Sequence, residues 1–252
     1  SLTNAVTSLS MRNTTLSGNL EITAGGAVVF DATNNGTATI SGNVDLGTIT
    51  PNFNVANGTA TTDMLVSGVI SSTGAGLTKI GTGLLELSGA LPNTYSGLTT
   101  VTAGTLLLNK TSGVNAIPDG VLINGGTLLL GASEEISDSS TLTLSTGTFN
   151  MASFPETIGT FVYNGGTFTP VGATLTLANS GTALSMRNTT ISSPLSITNG
   201  GAVVFDATNN GTATISGNLN LGTITPNFDI ADGTSATDML VSGVISSPSA
   251  GA

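Results

Sequence analysis

A glycine followed by β-forming residues returns five times between residues 83 and 168. The positions are Gly83, Gly104, Gly126, Gly147 and Gly166, a period of about 21 residues. Self-similarity at a fixed period of this size marks stacked arrays, in which each repeat buries its apolar face only against its neighbours. Apolar and polar residues alternate over short runs between the glycines, as at Leu85 and Leu87, Leu106 and Leu108, Leu128 and Leu130, Leu142 and Leu144, and Leu175 and Leu177. Such alternation belongs to strands with one buried face. Asn-Gly pairs at 35–36, 57–58, 124–125, 164–165, 199–200 and 210–211 bound the runs and supply the positive φ of sharp turns. Helical periodicity is nearly absent. An antiparallel sandwich would also show many short strands. The larger period, with two or three strands in each, instead fits one coil of a parallel β-solenoid. We therefore expect an all-β parallel β-helix of about 12 coils of roughly 21 residues, stacked at ~4.8 Å into a rod on the order of 58 Å long.

A longer repeat contains the short one. Residues 10–72 realign on 185–247 at an offset of 175, with 51 of 63 positions identical. The register extends outward to Leu2 on Leu177 and Leu9 on Leu184. We read 1–252 as a single continuous solenoid segment, with 1–175 one full tandem unit and 176–252 the start of a second that copies 1–77. Ser1, Leu2, Thr3 and Asn4 form neither the basic nor the apolar region of a signal peptide, so the chain reads as an internal piece of something longer.

Composition then narrows the function. Gly, Thr, Ser and Asn make up 129 of the 252 residues, and charged residues only 7%. Thr and Val pack well on a pleated surface, and uncharged Thr, Ser and Asn can stack in columns without like-charge repulsion. Cys and His are absent, which excludes disulfides, Cys/His metal centres, thiol nucleophiles and Ser-His-Asp triads. Four basic residues (Arg12, Lys79, Lys110, Arg187) against fourteen acidic ones give a net charge of −10. That balance opposes nucleic acid and anionic membranes as partners. No apolar run is long enough for direct membrane insertion of this segment. We expect no cofactor and no metal.

One segment carries a family pattern. Residues 76–108 place Leu77, Lys79, Gly81, Gly83, Leu85, Leu87, Ser88 and Gly89, then Asn93, Tyr95, Gly97, Thr99, Val101, Gly104 and Leu106, at the spacing L-x-K-x-G-x-G-x-L-x-L-S-G, N-x-Y-x-G-x-T-x-V-x-x-G-x-L. This closely resembles the autotransporter-associated β-strand repeat. It departs from that repeat by two extra residues before Asn93 and by Leu98 at a usually small position. The resemblance covers about 33 of the 252 residues. It implies an autotransporter passenger domain, a right-handed parallel β-helix exported across a Gram-negative outer membrane to the cell surface. Its motif residues are structural, so the resemblance implies no catalytic residue.

The chemistry-bearing residues are few. Glu134 and Glu135, with Asp138 nearby, form the densest acidic cluster and read as a solvated loop between coils. Acid–base work on a glycosidic bond would need two carboxylates across an open site, and nothing in the sequence brings Lys79 or Lys110 near this cluster. Asp31, Asp63, Asp206 and Asp238 recur at the 175-residue offset beside turn signals, where Asp commonly accepts from nearby backbone amides. Arg12 is placed to pair with Glu21, although the second copy has Ser196 there, and Lys79 with Glu86 across coils. The aromatics are spread out, and Phe30, Phe53, Phe205 and Phe228 are expected in the core or at its ends. Together these features favour a non-enzymatic structural or adhesive segment of a long repetitive extracellular surface protein, a stiff stalk or fibre. The expected partners are neighbouring tandem units, including end-to-end self-association. The alternatives are an adhesin holding a cell-surface or glycan ligand along its side and, behind it, a polysaccharide-active β-helix enzyme.

Overall fold

Each short alternating run becomes a strand, and the strands fall into three walls visited in turn. The computed structural model describes residues 3–23, 26–31, 36–206, 208 and 211–248. The first wall is built from β2 (Leu9–Met11), β5 (Val28–Phe30), β8 (Asn52–Val55), β11 (Leu77–Ile80), β13 (Thr99–Val101), the opening halves of β15 (Val121–Leu130) and β16 (Thr141–Asn150), β18 (Thr160–Tyr163), β21 (Thr182–Met186), β24 (Ala202–Phe205) and β27 (Phe228–Ile230). The second holds β3 (Thr15–Leu16), β6 (Ala38–Ile40), β9 (Met64–Val66), β12 (Leu84–Gly89), β14 (Thr105–Lys110), the closing halves of β15 and β16, and β19 (Thr167–Thr169). A separate ladder of β22 (Thr190–Ile191), β25 (Ala213–Ile215) and β28 (Met239–Val241) follows β19 in chain order.

The third wall is interrupted. One ladder joins β1 (Thr3–Val6), β4 (Asn19–Ile22), β7 (Val44–Asp45) and β10 (Ile70–Ser71). A second joins β17 (Glu156–Ile158), β20 (Leu175–Leu177), β23 (Leu195–Ile197), β26 (Leu219–Asn220) and β29 (Ile245–Ser246). Between them only an isolated bridge, Ile117 to Ile136, is formed among the described residues.

Every described pairing is parallel, and one interior column runs unbroken through the first wall. It passes through Leu9, Val28, Phe53, Lys79, Val101, Ile123, Leu144, Tyr163, Met186, Phe205 and Ile230. The chain is thus a parallel β-solenoid of about ten turns among the described residues. The expected twelve coils are too many. The steps from Val28 to Phe53, from Phe53 to Lys79 and from Phe205 to Ile230 each take more chain than the glycine period between 83 and 166. The interior is continuous and mostly apolar, while some outward columns stack small polar residues, as in Thr105, Thr127, Thr148, Thr167. The turn signals at Asn35 and Asn210 lie outside the described residues.

The glycine period has a steric cause at the corner between the first and second walls. Gly104 and Gly147 hold φ of +62° and +85°. A methyl on Gly104 would lie 2.4 Å from the Gly83 carbonyl oxygen, and one on Gly147 would lie 2.2 Å from that of Gly126. Positive φ alone costs an L-residue about 1–2 kcal/mol, and the coil below leaves no room for the added carbon. Gly113 separates the two effects, because its φ is +82° yet nothing lies within 4 Å of an added methyl. Gly147→Ala should therefore destabilise by about 2–4 kcal/mol. It should exceed Gly113→Ala by about 1–2 kcal/mol in urea unfolding followed by circular dichroism. Equal losses would show that the close approach between turns does not matter.

Candidate functional site

The residues with chemical potential collect where the backbone ladder fails. At the first corner, Lys79 points inward from β11 and is fully buried. Its ammonium donates to the carbonyl oxygens of Ile80 (2.8 Å), Gly81 (2.8 Å) and Ala103 (3.2 Å), so it caps the corners of two successive turns. Burial lowers its pKa to about 8, against an opposing pull from Asp63. The expected pairing with Glu86 does not form. Glu86 faces outward from β12 and accepts from Thr62 Oγ1 and Asn109 Nδ2, both at 2.8 Å.

The other residues of the family pattern occupy corners and interior. Leu77, Leu85, Leu87, Val101 and Leu106 fill the core. Gly81, Gly89 and Gly104 take positive φ, while Gly83 and Gly97 lie where a methyl would strike Ala56 O at 2.3 Å or Gly76 N at 2.4 Å. Ser88 lends its carbonyl to Lys110 Nζ at 2.8 Å. Asn93 stands in the interrupted third wall, where its Oδ1 accepts from Ile70 N (2.9 Å) and its Nδ2 donates to Ala116 O (2.8 Å). Tyr95 and Thr99 share a 2.7 Å hydroxyl hydrogen bond in the core, and burial raises the Tyr95 pKa.

The acidic cluster is not a solvated corner. Glu135 is 0% exposed, Glu134 is half-buried, and only Asp138 lies open. Glu156, one turn further on, is also 0% exposed. Its carboxyl oxygens accept from the amides of Glu135 (2.9 Å) and Ile136 (3.1 Å). Glu134 reaches the other way and accepts from Thr157 N (3.0 Å) and Thr157 Oγ1 (3.2 Å). Burial raises the pKa of Glu135 to about 7, and that of Glu156 to about 8 with further help from the charges of Glu134 and Glu135. Lys110, buried at the end of β14, acts electrostatically on Glu135, contrary to the sequence reading, and burial lowers its own pKa. The sequence holds one signal for Glu156, which follows Glu135 by the same interval that separates Gly83 from Gly104.

Arginine pairing also differs from expectation. Arg12 bonds Asp31 and Arg187 bonds Asp206, each at 2.8 Å, one ion pair reproduced in both copies. Glu21 sits on the third wall instead, beside Asp45. The other turn-side aspartates accept from nearby amides. Asp63 takes Gly58 N at 2.7 Å, Asp238 takes Gly233 N at 3.0 Å and Asp206 takes Thr208 N at 3.0 Å. The aromatics are less dispersed than the sequence suggests. Phe149, Phe161, Tyr163 and Phe168 meet in one cluster, with Phe149 stacked on Phe168 at 5.5 Å and Phe161 on Tyr163 at 5.3 Å. Phe30, Phe53 and Phe205 are in the core, and Phe228 is 39% exposed in the last described turn.

Two shallow clefts open on the sides. One is lined by Glu21, Asp45, Ser71 and Thr94, the other by Asp138, Ser139, Asn179 and Asn199. Neither contains Glu135 or Glu156, so the two carboxyls with raised pKa face the interior rather than a substrate-sized opening. Among the described residues no three acidic side chains gather to hold a metal ion.

Fold and corner chemistry together define a stacked-coil array in which one segment carries a specific pattern of caps and glycines. Residues 77–108 match the family model of the passenger-associated-transport-repeat, a repeat of autotransporter passenger domains. No curated protein and no solved structure matches the chain.

Lys79 yields a direct test. Lys79→Met leaves three corner carbonyls without their donor and should cost roughly 2–4 kcal/mol in urea unfolding. The folded-state pKa lies below the unfolded value of 10.5. The unfolded chain therefore binds the extra proton between about pH 8 and 10.5, and stability rises with pH across that window. The parent should gain on the variant over this range, and a constant difference would remove the titrating role from Lys79.

Proposed function

We propose that the chain is a non-enzymatic stalk segment of an extracellular surface protein, exported as part of an autotransporter passenger and extended by coaxial stacking of 175-residue units. The observation that carries this reading is the unbroken interior column combined with the duplication. Leu9 and Leu184 are equivalent positions, and eight coil-to-coil steps separate their levels. A unit therefore adds whole turns and returns the chain to the same wall, which lets units continue one another without a new joint.

Equivalent turns of the two copies show what a covering turn does. Phe53, Val55 and Ile70 are fully buried, because β11 and β12 lie over their turn. Their counterparts Phe228, Ile230 and Ile245 are 39%, 39% and 51% exposed. Covering such a turn buries apolar surface worth about 25 cal/mol per Å² and pairs a bare strand edge, so neighbouring units or a second chain end suit it as partners.

X-ray scattering from a chain lengthened by one further 175-residue unit tests the proposal. Eight steps at ~4.8 Å should add about 38 Å to the maximum dimension and leave the cross-section unchanged. A thicker particle of unchanged length would mean that units pack side by side, and the stalk reading would fail.

A further inference from the structure

In the gap of the third wall, two successive turns are joined by side chains in place of strands. Glu134 of the lower turn accepts from the backbone and hydroxyl of Thr157 in the upper one, and Glu156 of the upper turn accepts from the amides of Glu135 and Ile136 in the lower. These amides are the groups that a parallel ladder would pair with carbonyls. The clasp is therefore reciprocal, and it is made of carboxyl groups. Glu135 is fully buried beside them; its carboxyl oxygens make no hydrogen bond of ordinary geometry, and the Lys110 amide and ammonium pull on it from the preceding turn. Glu134 also holds a positive φ of 57°, a conformation that costs a non-glycine residue about 1 kcal/mol or more.

We propose that Glu134, Glu135 and Glu156 form a protonation-controlled clasp that keeps the middle of the rod closed in acidic and near-neutral solution and loosens this corner as the pH rises. With Glu135 and Glu156 neutral, the interior holds no uncompensated negative charge, and Glu156 still accepts through its carboxyl oxygens. When both ionise, two carboxylates stand buried beside the Glu134 carboxylate, and the cation nearby, Lys110, acts on Glu135. Unpaired buried charge is expensive, and the clasp has no strand ladder to fall back on.

The sign follows from linkage. Both folded-state values are raised above the ordinary 4.5, to about 7 and about 8. Their contribution is fully present below pH 4.5 and is lost as the pH climbs through the folded values. The loosening is thus confined to a window ending near pH 8. It is independent of whether the chain serves as a stalk.

Hydrogen exchange, read by NMR and corrected for the intrinsic rate at each pH, tests the clasp in the full 252-residue chain. Protection of the Glu135, Ile136 and Thr157 amides should fall at least about tenfold between about pH 5.5 and 9, relative to the ladder amides of Leu106 and Leu128. Glu135→Gln keeps the size of the side chain and its reach toward Lys110 and should remove part of the fall. Glu135→Gln with Glu156→Gln should abolish it. If the double variant fails to fold, limited proteolysis of the single variant within 131–140 gives the same comparison. Equal protection of the parent at both pH values, or an undiminished fall in the Gln variants, would overturn the proposal.

Discussion

Parallel stacking of the backbone on itself is the constraint from which the rest follows. When a turn sits ~4.8 Å above the one before, each residue's neighbour is its own counterpart one turn away, whatever the sequence between. A corner residue must then tolerate a carbonyl oxygen directly beneath it, which is why Gly104 and Gly147 sit over Gly83 and Gly126. An outward residue must tolerate a copy of its own chemistry above and below, which favours columns such as Thr105, Thr127, Thr148 and Thr167. Charge is also paired across turns, as in Arg12 with Asp31 and Arg187 with Asp206, and such exposed pairs contribute at most about 1 kcal/mol each.

Where the ladder is interrupted, side chains take over its hydrogen bonds. An unpaired buried amide or carbonyl costs about 1–3 kcal/mol, so the gap in the third wall and the capped corners need substitutes of reach and polarity. Asn93 can serve two turns at once because an amide both donates and accepts. Lys79 can cap three carbonyls because an ammonium has three donors. A glutamate accepts through its carboxyl oxygens, so Glu134 and Glu156 serve amides, and each crosses to the other's turn. Burial of these groups has an electrostatic consequence that burial of Leu would not have: the lysine pKa moves down and the glutamate values move up.

Local composition reveals the corners and misses the interior chemistry. The Gly period is visible in sequence because the close approach admits no other residue, and strand alternation is visible because one face is apolar. A count of turns from that period comes out too high, because the turns on either side of Phe53 carry longer loops. Proximity along the chain suggests Glu21 as the partner of Arg12. The wall register instead sets Met11 beside Phe30, and with it Arg12 beside Asp31. Glu134 and Glu135 look solvated in sequence because Ser and Gly surround them. Their burial is decided by Glu156 and Thr157, a full turn away, and no local window contains that information.

The third wall shows how far the two repeats depend on each other. Its interior line runs Leu20, Val44, Ile70 in the first ladder and Leu175, Leu195, Leu219 after the gap. Leu195, Leu219 and Ile245 are the second-copy counterparts of Leu20, Val44 and Ile70. Between the two stretches the wall is held through Asn93, Ala116, Glu135 and Glu156. Apolar residues suffice where a regular ladder pairs carbonyls and amides, and polar ones enter where only scattered backbone bonds remain. The 51 identities in 63 positions therefore fall where one regular ladder serves both copies. The matched repeat at 77–108 opens the stretch in which side chains supplement the few backbone bonds of the third wall. An asparagine and a set of glutamates in an otherwise nearly uncharged chain are thus consequences of a missing strand. The same substitution places the proposed clasp in the middle of the unit rather than at its ends.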